Sequence, residues 1–399
     1  MKKRILIVSE YFYPEEFKVN DIAIEWVKKG YNVDVLTVVP SYPLGIVFDG
    51  YKNKWYQKDS YEGVNIYRVK TVTGYRDSLF KKSLKYFLFM FLGSFMALFI
   101  GKKYDAVFGF NMAALTGMMP GVVIKKLYKK PLTFWAQDLW PDSVYAYGFK
   151  ETKILSFFLN RFVKFMYQNI DNIAISGRGF QEKLQPHMKH DLDFHYLPNW
   201  ADDLDMSMPS AEFSIDKKIH FTFAGNVGKV QNLANIIKAF NNLDDSYQAK
   251  AQLNIVGDGS ALDELKDLNT KNNVLFHGRK PRREMAKYYK ASDFLIVSLV
   301  SEPIFSVTVP AKTQTYIAAK KPILGIIEGD TAAIIKENNL GYIAHPDNLE
   351  EIKEVFKMAI NADEDELNGF THNCDDLLKT TFNKNFIINK LLELTVAKI

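Results

Sequence analysis

Short β-branched and aromatic runs alternate with longer helix-patterned stretches along this chain, and that rhythm leaves few folds open. The strand-like runs are Ile5–Ser9, Val33–Val38, Ile66–Val69, Ala106–Phe110, Leu132–Trp135, Ile173–Ser176 and Phe194–Leu197. After them come His220–Ala224, Leu253–Val256, Val274–Phe276, Phe294–Val297, Pro322–Ile326 and Tyr342–Ala344. Such alternation predicts parallel sheets covered by helices on both faces, with ligands gathering at the carboxyl ends of the strands. The rhythm breaks between Pro198 and Pro209, where turn residues and acid replace any sustained period. A linker there predicts two doubly wound α/β domains, residues 1–200 and 201–384, and 399 residues suffice for two cores. The closing stretch 385–399 carries a helical apolar pattern in Phe386, Ile387, Leu391, Leu392 and Leu394. With no strand to follow it, it is expected to pack back on the first domain.

The strongest local signal is His220–Leu233, a β-type run that breaks at Gly225-Asn226-Val227-Gly228-Lys229-Val230-Gln231 into a helix pattern of Leu233, Ile236, Ile237 and Phe240. Two glycines let the backbone bend and let a ligand approach, and the N–H groups of a helix start suit a phosphate or diphosphate. A purely structural βα turn stays open as the alternative. Further on, Pro310 at the head of a helix leaves Lys312 in its first turn, where the helix dipole disfavours a cation unless an anion is bound. The two helix starts are expected to converge on one diphosphate, with Lys312 and Lys229 supplying charge; a solvent-facing Lys312 is the plain alternative. Gly257-Asp-Gly259 reads equally as packing or as ligand contact.

In the first half, Leu132–Ser143 sets Asp138 and Asp142 at a strand's carboxyl end beside Trp135 and Trp140, and tryptophan faces commonly line sugar sites. Asp138 is the candidate general acid or base, whereas Asp142 reads equally as a helix cap. The loop Glu10–Asn20 is expected at the same edge, with Tyr11, Lys18 and Asn20 available to a phosphate or hydroxyl. His187, His190, His195, His220 and His277 form no triad pattern with serine or cysteine, and no P-loop run is present.

Charge is unevenly spread: residues 1–200 sum to +10 and the remainder to −5, within a net +5. The basic half is expected to meet an anionic membrane face or a phosphorylated acceptor, with a merely solvated basic surface as the alternative; no nucleic-acid motif accompanies the charge. The single cysteine, Cys374, excludes an internal disulfide framework, and no Cys/His cluster has zinc spacing. Met1–Val8 is too short in its apolar part for a signal peptide and reads as a first strand. Tyr86–Ile100, flanked by Lys81, Lys82, Lys85, Lys102 and Lys103, falls short of the ~20 residues a span needs. Two readings remain, a core helix or a helix lying in an anionic membrane surface.

Taken together these stretches resemble retaining glycosyltransferases of family 4, of GT-B fold, in the bacterial branch that builds capsule, O-antigen and colanic-acid type polysaccharides. The likeness rests on Tyr11–Glu15, Pro40–Gly45, Asp138–Asp142, Pro198–Asp202, Gly225–Gln231, Gly278-Arg279 and Pro310–Lys312, in that order over nearly the whole chain. Two departures stand out. The acidic residue that the family sets against the donor's ribose falls on Thr315, and the glycine pair of the first loop is replaced by Glu15-Glu16-Phe17-Lys18. The resemblance implies two Rossmann-like domains with parallel sheets facing a central cleft. It also implies transfer of a sugar, with retention, from a nucleotide diphosphosugar, UDP-linked by expectation, to a saccharide on a polyprenyl diphosphate. On the donor side it sets Gly225, Asn226, Val227, Lys229, Gln231, Arg279, Glu302, Val309, Lys312 and Thr315; on the acceptor side Tyr11, Lys18, Asn20, Trp140 and Asp142. Asp138 and Lys312 are the catalytic candidates. No metal, cofactor or nucleic acid is implied, and the place of work is the cytoplasmic face of the cell membrane. A sugar-nucleotide 2-epimerase and a non-catalytic scaffold are the competing readings.

Overall fold

A computed structural model describes residues 2–76, 78–112, 114–146, 149–188, 192–201, 203–213, 219–271 and 273–399; His190 and Asp202 lie outside these. The chain forms two compact units, Met1–Pro198 with Asn385–Ile399, and Asn199–Lys384.

The first unit is built on β1 (Arg4–Val8), β2 (Asn32–Val38), β3 (Tyr56–Tyr61), β4 (Val64–Val69), β5 (Ala106–Asn111), β6 (Leu132–Ala136), β7 (Asn172–Ile175) and β8 (Phe194–Tyr196). Their order is β3-β4-β2-β1-β5-β6-β7-β8. All neighbours are parallel except β3 and β4. Strands β5 and β6 are buried throughout, as expected of central strands covered on both faces. Strand β3 escapes the apolar-run reading because Tyr56-Gln-Lys-Asp-Ser-Tyr61 lies half-exposed at the sheet edge. The turn that pairs it with β4 runs through Glu62 and Gly63, which both take positive φ, 48° and 81°, as a two-residue hairpin turn requires.

Helix Lys384–Val396 closes this unit. Trp26 Nε1 of helix Lys18–Lys28 donates to Ile388 O at 3.2 Å, and Asn172 Nδ2 and Thr133 Oγ1 of the sheet both donate to Leu394 O near the helix's end.

The apolar segment is longer than its sequence suggested. Ser78 accepts from Lys81 N–H and starts a helix over Leu79–Ile100, drawing Lys81, Lys82 and Lys85 into it. At 22 residues it is long and apolar enough to cross a membrane, by length and composition. One stripe of it, Lys85, Phe89, Gly93 and Ala97, is nevertheless buried in the unit. A Cβ at Gly93 would lie 2.9 Å from Pro120 Cγ, which shows how closely helix Met119–Tyr128 approaches. On the opposite face Phe87, Phe91 and Phe95 are 49%, 64% and 60% exposed.

The second unit carries β9 (Ile219–Ala224), β10 (Ala251–Val256), β11 (Val274–Gly278), β12 (Phe294–Ser298), β13 (Ile323–Ile326) and β14 (Gly341–Ala344). They form a wholly parallel sheet in the order β11-β10-β9-β12-β13-β14. One face packs Phe221, Ile236, Phe240 and Phe356; the other packs Leu295, Tyr316, Ile317 and Cys374. In each sheet the strand order reverses beside the unit's first strand, at β1/β5 and at β9/β12. Such switch points open crevices at the carboxyl edge.

Candidate functional site

The residues singled out in the sequence fall into two groups, one at each switch point. In the second unit β9 ends at Ala224, and Gly225 then takes φ 137°, a conformation that resists any side chain. Lys312 lies against it: a Cβ on Gly225 would stand 2.6 Å from Lys312 Cε. Lys312 is carried there by helix Ala311–Ala318, with Pro310 at its N-cap. The buried Tyr316 pins that helix to the strand end, its hydroxyl accepting from Ala224 N–H at 3.3 Å and donating to Ala224 O at 3.4 Å.

Lys312 Nζ donates to Gln231 Oε1 at 3.2 Å and stands 3.4 Å over the Phe223 ring. Desolvation pulls its pKa down to about 7, and no carboxylate among the described residues offsets this. A half-buried ammonium at a helix N-terminus, held by a neutral amide and a ring, is a cation awaiting a counter-charge.

The turn itself is less open than its sequence suggested. Gly225 N–H donates to Val256 O at 2.8 Å and Val227 N–H to Asp258 O at 2.9 Å, so neither is free for an anion. The helix begins only at Leu233, after a 3₁₀ turn over Lys229–Gln231 and a left-handed Asn232 whose side chain donates to Pro346 O instead of capping. The Asn226 and Gly228 amides donate to no backbone carbonyl among the described residues. Gly257 and Gly259 prove to be packing residues: Cβ atoms there would lie 1.8 Å from Gly225 O and 2.4 Å from Val227 O.

Val227 is buried and Val309 half-buried in the unit's core. Lys229, Arg279, Glu302 and the Asn226 side chain are exposed. Thr315 turns its hydroxyl back onto Ala311 O at 2.9 Å, so on this helix it serves its own backbone. Glu302 sits at the N-cap of helix Pro303–Ser306 without a side-chain capping bond.

In the first unit Glu10, Asn111 and Asp138 stand at the ends of the adjacent strands β1, β5 and β6. Each has buried oxygen or nitrogen without a well-formed hydrogen bond: Glu10 Oε2, the amide of Asn111, which the buried Tyr167 hydroxyl approaches, and Asp138 Oδ2. Glu10, Tyr11, Asn111 and Met118 border a crevice too narrow, as it stands, to admit a water. Buried polar atoms left over at three neighbouring strand ends are costly unless a polar group meets them.

The bonds at the turn into the next helix are made by Asp138 and not by Asp142. Asp138 Oδ1 accepts from Leu139 N–H at 2.9 Å and from Ser143 Oγ, holding the turn into helix Asp142–Ala146. Its other oxygen is unpaired, and burial raises its pKa to about 6. Asp142 instead meets Lys183 at 3.5 Å. Trp140 is half-buried, 6.5 Å from the Phe162 ring.

The first loop corrects two expectations. Tyr11 is 5% exposed, stacked on Phe17 at 5.0 Å, with its hydroxyl accepting from Lys85 Nζ at 2.8 Å, so it is not a surface contact. Asn20 uses its side chain internally, accepting from Tyr13 N–H at 3.1 Å and donating to Glu15 O at 2.7 Å. Lys18 opens helix Lys18–Lys28 and is half-buried. Glu15 Oε1 accepts from both Ser41 and Tyr42 N–H, which joins Tyr11–Glu15 to Pro40–Gly45.

Sequence reasoning took Lys85 for a basic flank. It is 1% exposed, paired with Glu10 at 2.8 Å, and burial raises the Glu10 pKa against the pull of that lysine. Asn111 was missed outright; its only signal was its place at the end of a strand.

Residues 208–370 match the family described as Glycosyl transferases group 1. Among curated proteins, one named as a probable glycosyltransferase, WbjE of Pseudomonas aeruginosa, is 27% identical over 224 residues, covering 53% of this chain. WcaI of Escherichia coli strain K12, named as a candidate colanic acid biosynthesis glycosyl transferase, is 24% identical over 263 residues, covering 61% of this chain. The matches take in 55% and 62% of those relatives' own lengths. Among solved structures, sucrose-phosphate synthase from Thermosynechococcus elongatus superposes with a TM-score of 0.71 at 13% identity over 98% of each chain. HepE of Anabaena in complex with UDP and glucose gives 0.63 at 12% identity over 100% of each chain. The fold is that of the GT-B class.

Proposed function

With residues 208–370 belonging to the glycosyl transferases group 1 family, we propose that the chain moves a sugar from a nucleotide diphosphosugar, UDP-linked, onto a saccharide carried by a polyprenyl diphosphate. The transfer retains anomeric configuration and uses no metal. The observation that carries this reading is the unpaired Lys312 ammonium laid across Gly225 at a helix N-terminus. Departure of a nucleoside diphosphate is the difficult part of such a transfer, and a fixed cation beside amide dipoles stabilises the charge that develops there. HepE, solved with UDP and glucose, and WcaI, named for colanic acid biosynthesis, support the donor class and a surface polysaccharide as the product. With Thr315 bonded to its own helix, the exposed Glu302 is the carboxylate left to receive ribose hydroxyls.

On the acceptor side, Glu10, Asn111 and Asp138 offer unpaired acceptors and donors for saccharide hydroxyls, and an Asp138 poised near pH 6 suits proton exchange with one of them. The exposed Phe87, Phe91 and Phe95, on a helix with lysines at both ends, support work at a membrane surface, which this reading sets at the inner face.

A thermal-shift panel of UDP, GDP and dTDP tests the donor: UDP at about 100 times its Kd should raise the melting point by a few degrees, since such saturation is worth about 2.7 kcal/mol. If none of the three moves it, the donor reading fails. Replacing Phe87, Phe91 and Phe95 together with serine should weaken binding to anionic liposomes at least about tenfold. Phe89, on the buried stripe, does not belong in that set. Equal liposome binding by the folded variant would remove this face from the membrane.

A further inference from the structure

Helix Lys153–Tyr167 borders an open groove of about 840 Å³, which it shares with the 3₁₀ turn Gln185–His187. Lys153, Phe157, Arg161 and Lys164 recur along one face of the helix and line the groove with His187 and Glu151. Lys153, Arg161 and Lys164 pair with no carboxylate among the described residues, so three cations face a single Glu151. Burial lowers the pKa of His187, despite Asp142 opposing it, which leaves a neutral ring able to donate one hydrogen bond.

Beside this basic strip the helix stays apolar toward solvent: Ile154, Phe157 and Phe158 are 73%, 64% and 63% exposed. Its other face is buried through Val163, Met166 and Tyr167. Cations interleaved with exposed aromatic rings are poor packing for water alone but complementary to an amphiphile with a doubly charged head and a hydrocarbon tail. The groove also adjoins the candidate acceptor edge: Phe162 of the same helix meets Trp140, and Asp142 acts electrostatically on His187.

We propose that this groove holds the diphosphate of the lipid-linked acceptor, Arg161, Lys164 and Lys153 taking the phosphates while Phe157 and Phe158 lie against the first isoprene units. The saccharide would then extend past Trp140 toward Asp138. This rests on the reading of the chain as a transferase to a polyprenyl-linked saccharide, and it names the part of that acceptor the groove recognises.

Farnesyl diphosphate, titrated into the full chain by calorimetry, tests it. The wild type should bind it, with inorganic pyrophosphate at least tenfold weaker because it lacks the chain that the two phenylalanines contact. Arg161→Gln with Lys164→Gln should weaken farnesyl diphosphate at least tenfold and leave UDP affinity unchanged, and Phe157→Ser should weaken the lipid but not pyrophosphate. Lys312→Ala should leave farnesyl diphosphate binding intact. Equal affinity for pyrophosphate would overturn the lipid assignment, and so would unchanged binding in the double variant or loss of binding in Lys312→Ala. UDP titration of the wild type reports separately on the donor reading, so failure of the groove and failure of the transferase reading give different results.

Discussion

Lys312→Ala should lower sugar transfer by about a hundredfold or more, the usual cost of removing one preorganised group from a developing anion. The fold should survive, because the helix is anchored by Tyr316 and not by the lysine. The loss should fall on kcat as well as on kcat/KM, since the charge on the leaving diphosphate grows toward the transition state. Unchanged turnover would detach Lys312 from the leaving group. The same residue makes a pH prediction. Desolvation holds the ammonium pKa near 7 in the free chain, and a bound diphosphate would raise it again. Binding UDP at pH 8 should therefore take up close to one proton, and affinity should fall as pH rises above about 7, by at most tenfold per unit. Titration calorimetry in buffers of different ionisation enthalpy measures that uptake, and Lys312→Ala should abolish it. For stability the sign is opposite. In the unliganded chain the lowered pKa means that the unfolded state holds the proton more tightly between pH 7 and 10, so this group makes the fold more stable as pH rises through that window.

Gly257→Ala should be among the most damaging single substitutions in the second unit, at about 2–4 kcal/mol. Its φ of 155° resists a side chain, and the new Cβ would lie 1.8 Å from Gly225 O, a backbone atom that cannot swing aside. Either β10 or the Gly225 turn must shift, and a shift of the turn would carry the surface under Lys312 with it. UDP affinity should therefore fall together with the denaturation midpoint. Gly369→Ala is the control: it sits in helix Glu364–Lys379 with nothing within 4 Å of the added carbon, so it should be neutral or stabilise by up to about 1 kcal/mol. If Gly257→Ala were as mild as Gly369→Ala, the two turns would not be clasped as described.

The glycine turn and the lysine helix could be read from the chain because each is a local event. A strand ending in Gly225 and a helix headed by Pro310 are dictated by backbone sterics within a few residues. The parallel sheets were legible for the same reason, central strands being continuous apolar runs, whereas β3, half-exposed at an edge, was not. What backbone hydrogen bonding does with a turn is not local. The Gly225 and Val227 amides read as open until the end of β10 and the turn after it supplied the Val256 and Asp258 carbonyls that occupy them.

The chain by itself determined where its central strands and its glycine turn fall. Only the tertiary structure decided which side chains meet. It buried Lys85 against Glu10 and Tyr11, separated Asp138 from Asp142 in their partners, and lined up Glu10, Asn111 and Asp138 along one edge. The cause is strand order: β1, β5 and β6 lie side by side although about a hundred residues separate the first from the second. A pattern confined to short windows does not record that distance being closed.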